Sequence, residues 1–312
     1  MKTMRAVCIY SYGGPGVLKY EDAPRPRPGE QEVLVRVHAA SVNPVDWKIR
    51  EGQLENKLHH ILPLVLGWDV SGVVDTLGPK VKTLKVGDEV FSHCDLSRDG
   101  GYAEFVVIRE SAVALKPTSI DHIHAAALPL AALTAWQTLF DAAALAAGQR
   151  VLIHGAAGGV GHLAVQLAKW KGAHVLATAS EHNHEFLRHL GADQIIDYNT
   201  VHFDEAVQPV DVVLDTVGGD TQERSWKFIK PGGILVSIAN PPSAETAATH
   251  GVRQKFVFSD PNATELAAIA NLVDTEKLKV IVETILPLSD ATRGLELSQC
   301  GHTRGKIVLR VI

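Results

Sequence analysis

Over the first 120 residues, apolar positions come in short runs cut by Gly and Pro. This pattern predicts strands at Arg5–Tyr10, Glu32–Ala40, Val70–Leu77, Glu89–Phe91 and Tyr102–Ile108, with turns at Pro26–Gly29 and Val86–Asp88. A barrel or sandwich is the expected outcome. From about residue 125 the texture changes: β-branched runs at Val151–His154, His174–Thr178, Gln194–Asp197, Val210–Asp215, Ile234–Ile238 and Lys255–Phe258 alternate with helical stretches. Alternation of this kind predicts a parallel sheet wrapped by helices, the doubly wound arrangement. Near the end, Val280–Ile285 and Lys306–Val311 flank a helix-like Asp290–Gln299 and return to the first texture, so the C-terminal stretch is expected to fold back onto the N-terminal half. The fold class is α/β, a β-rich domain plus a doubly wound parallel sheet.

A length of 312 residues fits two domains at about 150 residues each. With 30 Lys and Arg against 35 Asp and Glu and no basic run longer than three residues, nucleic acid is not an expected partner. Apolar residues at 46% and charged residues at 21% describe an ordinary globular chain with a large core. Cys8, Cys94 and Cys300 stand far apart without metal-ligand or disulfide spacing, which favours a reducing compartment. The start, MKTMRAVCIY, lacks a signal-peptide apolar region, and no window reaches the ~18 apolar residues of a membrane span. The expectation is a cytoplasmic protein with no membrane partner.

The strongest chemical signal is Val151-Leu152-Ile153-His154-Gly155-Ala156-Ala157-Gly158-Gly159-Val160-Gly161, followed by His162–Lys171. An apolar strand enters a glycine turn, and Val160, Leu163, Ala164, Leu167 and Ala168 then recur at helical spacing. In this setting glycines let the backbone approach a pyrophosphate, whose charge the helix N-terminus favours. Ala156 replaces the first glycine of the usual GxGxxG, giving AxGxxG. Cofactor choice is read about 20 residues on, where an acid would bind the adenosine ribose hydroxyls. Here Ser180 leaves room for a 2′-phosphate, with His182, Arg188 or Tyr198 as donors, while Glu181 is the competing feature that would favour NAD.

These residues resemble the medium-chain dehydrogenase/reductase superfamily, in its zinc-free quinone oxidoreductase (zeta-crystallin-like) branch. Gly148-Gln149, Leu152, Ala156–Gly161, Gln166 and Lys169 carry the likeness, supported by Asn43-Pro44-Val45-Asp46, Gly67-Trp68-Asp69, Lys85–Val90, Asp215–Gly219 and Arg304–Leu309. The resemblance implies a discontinuous GroES-like catalytic domain at 1–125 and 263–312, a Rossmann domain at 126–262, NADPH in the cleft, and a homodimer pairing edge strands around Lys255–Phe258. Where a zinc alcohol dehydrogenase has its catalytic cysteine this chain has Asn43, and where that enzyme has a histidine it has Trp68. No set of three or four zinc ligands can be assembled, so no metal is expected.

The branch's substrate-side tyrosine is replaced by Lys48, which is either a hydrogen-bond donor or a surface lysine. Asn43 is either a group orienting nicotinamide or a substrate carbonyl, or a turn residue before Pro44. The resemblance places Thr134 in an interdomain helix facing the cofactor, against the alternative of a helix hydroxyl bonded to its own backbone. It also places Ala157, Gly158, Gly159, Val160, Gly161, Ser180, His182, Tyr198, Val217, Gly218, Ile238, Asn240, Val257 and Phe258 along the cofactor. Phe256–Phe258 has plain core as its alternative. The expected function is NADPH-dependent hydride transfer to a quinone or α,β-unsaturated carbonyl. A zinc-type alcohol dehydrogenase is disfavoured by Asn43 and Trp68, and a non-catalytic NADPH-binding structural or sensor protein stays open because fold does not imply function.

Overall fold

The computed structural model describes residues 2–200 and 208–312, and the chain divides into two compact units. The first comprises Met1–Leu133, Asp260–Glu276 and Val280–Ile312; the second comprises Thr134–Ser259 and Lys277–Lys279. The first boundary falls eight residues beyond the 125/126 border read from the sequence, inside the helix Pro129–Trp136. The start of that helix is tied to the first unit: the Leu130 N–H donates to Asp69 Oδ1 at 2.6 Å.

In chain order the strands are β1 (Thr3–Ile9), β2 (Leu18–Pro24), β3 (Glu32–Val42), β4 (Leu64–Val65), β5 (Asp69–Leu77), β6 (Glu89–His93), β7 (Phe105–Arg109) and β8 (Val113–Leu115). They continue with β9 (Arg150–Ile153), β10 (His174–Ala179), β11 (Gln194–Asp197), β12 (Val210–Asp215), β13 (Ile229–Ser237), β14 (Arg253–Phe256), β15 (Val282–Pro287) and β16 (Lys306–Arg310). The first unit carries a three-stranded sheet, β2-β1-β4, and a seven-stranded one, β15-β16-β3-β5-β6-β8 with β7 also on β3. β3 is its spine, pairing antiparallel with β16, β5 and β7. Because Ile307 lies opposite Val42, the C-terminal strand does return into the N-terminal sheet. Val35, Val37, Ile49, Leu66, Trp68 and Leu309 fill the core beneath it.

The second unit holds a six-stranded sheet in the order β11-β10-β9-β12-β13-β14, every described neighbour pair parallel. Val151, Leu152 and Ile153 of β9 are fully buried, as expected when both faces of a central parallel strand are covered. The chain leaves β9 for β10 on one side and later returns to β12 on the other. This reversal opens a crevice at the strand carboxyl ends, where open α/β sheets bind ligands.

Candidate active site

β9 ends in the glycine turn. Gly155 takes φ +62°, the Ala156 N–H donates to Thr178 O at 3.2 Å, and the Gly158 N–H donates to Gly155 O at 3.1 Å. The helix Gly161–Trp170 starts directly behind. Among the described residues, the N–H groups of Ala157, Gly159, Val160 and Gly161 take no hydrogen-bond partner. Unsatisfied donors at a helix N-terminus are an anion site. A Cβ on Gly161 would overlap the backbone of Gly155 and Ala156, whereas one on Gly158 would meet only Gly155 O, at 3.4 Å. The fold therefore dictates Gly161 but leaves room above Gly158.

β10 and β11 bring the ribose-end residues together. Ala179 pairs with Asp197, so Ser180 and Tyr198 are the next residues along two adjacent parallel strands. Tyr198 is exposed, and Ser180 Oγ lies 3.1 Å from His182 Nδ1. Glu181 opens the short helical turn Glu181–Asn183 and is exposed.

At the other end of the crevice Asp215 pairs with Ser237, which sets the loops 216–218 and 238–240 side by side. Val217 and Phe258 are 54% and 45% exposed, large apolar side chains left uncovered at the carboxyl ends of the strands. Phe256 and Val257 are half-buried, so Phe256–Phe258 is not plain core, and the Val257 N–H donates to Ser237 O at 2.9 Å. β14 ends two residues before the predicted Phe258 because it pairs with β13 only as far as Ser237. Beneath the turn, His154 is buried between Thr178 and Ser225. The Ser225 hydroxyl donates to Thr221 O, so it accepts from His154 Nε2 at 3.0 Å while Nδ1 faces Thr178 Oγ1 at 3.1 Å. Burial lowers the His154 pKa to about 4, so the ring is neutral. Thr134 is buried, and its carbonyl accepts from the Thr138 hydroxyl at 2.7 Å.

In the first unit Asn43 begins the helix Pro44–Arg50. Both ends of its buried amide are engaged: Nδ2 donates to Asp69 Oδ2 at 2.8 Å, and Oδ1 accepts from Lys306 Nζ at 2.5 Å. Asp69 also accepts from Ser41 and the Leu130 N–H, and Lys306 from β16 reaches Val42 O. Asp46 accepts from the Asn43 N–H at 2.8 Å and the Tyr102 hydroxyl at 2.7 Å, and burial pushes its carboxyl up to about 7. Asp46 forms no pair with Arg50, whose guanidinium instead reaches Gly13 O, Glu51 and Gln299. Lys48 is half-buried, its ammonium 5.7 Å from the Trp47 ring centre and without a hydrogen-bond partner among the described residues.

These residues do not fit a zinc ion. The Asn43 amide is committed, Trp68 is buried with its Nε1–H on Arg98 O at 3.0 Å, and Cys94 is buried without a second thiolate. Among the described residues no group of three His, Cys, Asp or Glu is arranged to hold a metal. His122 is half-buried: it packs on His38 with ring centres 4.3 Å apart and contacts Ser71 and Glu89.

Asp69, Lys306, His154 and Asp215 carry most of this polar structure, and sequence reading assigned none of them a role. The signal lay in charged residues at strand ends within the apolar runs Trp68–Val70 and Val212–Asp215 and in Lys306 within Arg304–Leu309.

A glycine turn opening onto the switch point of a doubly wound sheet, in a chain that also carries a GroES-like unit, is the construction of a dinucleotide-dependent oxidoreductase. The family described as "Alcohol dehydrogenase GroES-like domain" matches residues 29–118, and "Zinc-binding dehydrogenase" matches 190–309. The chain is 36% identical to the human "NAD(P)H oxidoreductase RTN4IP1, mitochondrial", over 90% of this chain and 82% of that protein. It is also 36% identical to the Arabidopsis thaliana "NADPH-dependent alkenal/one oxidoreductase, chloroplastic", over 99% of this chain and 80% of that protein. The solved quinone oxidoreductase from Coxiella burnetii superposes with a TM-score of 0.93 at 39% identity, covering 100% of both chains. The chain belongs to the quinone oxidoreductase branch of the medium-chain dehydrogenase/reductase superfamily.

Proposed function

We propose that the protein reduces quinones or α,β-unsaturated carbonyls with NADPH and without zinc. The observation that carries this reading is the glycine turn, where unpartnered N–H groups at the start of a ten-residue helix suit a pyrophosphate. When bound, the cofactor supplies the hydride. Ser180, His182 and Tyr198 would hold a 2′-phosphate, since a small hydroxyl stands where an acid would repel it. Val217, Ile238 and Phe258 would cover the nicotinamide end with apolar surface. Hydride addition to an enone or quinone leaves negative charge on the acceptor oxygen, and the unpaired ammonium of Lys48 is the donor we assign to it. Asn43, with both amide ends engaged, fits a positioning role better than a donating one. We further propose a homodimer formed by edge pairing of β14.

Steady-state NADPH oxidation with a panel of quinones and enones tests the reading. Turnover is expected. Tight NADPH binding with no turnover on any acceptor would instead favour a binder or sensor. Ser180→Asp is expected to lower kcat/KM for NADPH on the order of tenfold or more while NADH use holds or improves, because charge-assisted contacts are lost. Equal use of NADH and NADPH by the wild type would mean that Glu181 reads the ribose.

A further inference from the structure

Asp215 is the last residue of β12, has no exposed surface, and forms no ion pair among the described residues. Four neutral donors hold its carboxylate instead. Oδ1 accepts from the backbone N–H of Val217 at 3.0 Å and Gly218 at 2.8 Å. Oδ2 accepts from Gln222 Nε2 at 2.9 Å and the Ser237 hydroxyl at 2.8 Å. The two side-chain donors extend the cluster. Gln222 Nε2 also donates to Asn240 O at 3.0 Å, and Ser237 Oγ accepts the N–H of Ala239 at 3.2 Å. The Thr216 hydroxyl, next to Asp215, donates to His154 O at 2.8 Å and joins the cluster to the glycine turn. The loops after β12 and β13 are in contact: a Cβ on Gly218 would meet Asn240 Oδ1 at 2.5 Å and Ala239 Cβ at 3.0 Å.

A buried carboxylate is costly to leave unsatisfied, and charge-assisted hydrogen bonds to it are strong. This one directs its four bonds to the backbone of loop 216–218, to Gln222 in the helix Gly219–Ser225 that follows, and to Ser237, the last residue of β13 before loop 238–240. We infer that Asp215 is a positioning residue that sets the spacing of loops 216–218 and 238–240 against the nicotinamide half of the cofactor. The inference rests on the NADPH reading above and adds a residue to it. An asparagine there keeps an oxygen for the Val217 and Gly218 N–H groups but turns an N–H toward Gln222 and Ser237, so the Gln222 bond is lost, the Ser237 hydroxyl must accept instead of donate, and the tie to loop 238–240 weakens.

The test compares NADPH with adenosine 2′,5′-bisphosphate, which reaches only the ribose end near Ser180 and Tyr198, by fluorescence and calorimetric titration. Asp215→Asn is expected to weaken NADPH about tenfold while changing the bisphosphate less than about twofold, as the loss of one or two charge-assisted bonds implies. Gln222→Ala, which removes one of the four donors to Asp215 together with the bridge to Asn240, should weaken NADPH in the same direction by less, and it serves if the first variant does not fold. Unchanged NADPH affinity in the folded variants overturns the inference, as does equal weakening of both ligands, which marks a general structural loss. Wild type that binds the bisphosphate but gains nothing from the nicotinamide half overturns it too. If wild type binds neither ligand, the cofactor reading fails and takes this inference with it.

Discussion

Gly158 and Gly161 look equivalent in the sequence, both being glycines of one AxGxxG turn. The structure separates them. A side chain at Gly161 would enter the backbone of Gly155 and Ala156, so the helix could not start where it does. Gly161→Val is therefore expected to destabilise the fold, on the order of 1–3 kcal/mol as for other overpacked sites, and to lower the unfolding midpoint. At Gly158 the φ angle is ordinary and the space is open. Gly158→Val should unfold at nearly the wild-type temperature yet lose NADPH affinity, because its side chain fills the place of the pyrophosphate. A thermal melt and an NADPH titration on both variants decide this, and unchanged affinity in Gly158→Val would leave the turn without its ligand. The glycines themselves were legible because only glycine permits such an approach. Which neighbour each one makes room for was not, because that depends on how the turn closes: Gly161 packs on the backbone of Gly155 and Ala156, and Gly155 faces Thr216, which arrives from the end of β12. Asn43 shows the same limit. Its position before Pro44 was readable as a turn residue, but Lys306, which fixes its carbonyl, lies 263 residues away.

Among the elements, strands with strong apolar runs were read almost to the residue: Gln194–Asp197 and Val210–Asp215 coincide with β11 and β12. β2, β4 and β8 were missed. β2 carries Lys19, Tyr20, Glu21 and Asp22 and is a strand only because β1 pairs along its whole length, from Thr3 opposite Pro24 to Ile9 opposite Leu18. β4 has two residues and β8 three, too short for any period to register. The π-helical turn Gln137–Ala142 likewise has no signature in an Ala-rich stretch. β14 ends the order of the parallel sheet, so one of its sides has no described strand partner. Such an edge is a template for a second strand. The exposed Arg253 and Lys255 alternate with the half-buried Gln254 and Phe256, a pattern that keeps the edge soluble until it pairs. Light scattering at micromolar concentration is expected to give the mass of two chains, and a monomer across the range would remove the dimer.

The whole chain buries ionisable groups in both units, and these respond to pH with opposite sign. In the second unit, burial holds His154 neutral with a pKa near 4. Its contribution to stability is fully present above the unfolded value of about 6.5 and is lost as pH falls toward about 4. In the first unit, burial raises the Asp46 carboxyl to about 7, and the neighbouring Asp69 adds to the shift, while the bonds from Tyr102 and Asn43 oppose it. A raised folded pKa means the folded chain holds more protons than the unfolded one between about 4 and 7. Stability from this group is therefore present below about pH 4 and declines as pH rises through about 7, with a limiting slope of roughly 1.4 kcal/mol per pH unit. Asp46→Asn fixes the side chain in a neutral form. Its oxygen can still accept from Tyr102 and Asn43, and its amide occupies the place of Oδ1, which has no partner in the folded chain. Subtracting wild type from variant cancels the histidines and leaves Asp46 alone. Urea unfolding at pH 5, 6.5 and 8 should show the variant gaining on wild type at each step up, by on the order of 1 kcal/mol or more over the range. An offset that stays constant with pH would mean that Asp46 is ionised throughout and that its burial is compensated by more than the two bonds it accepts.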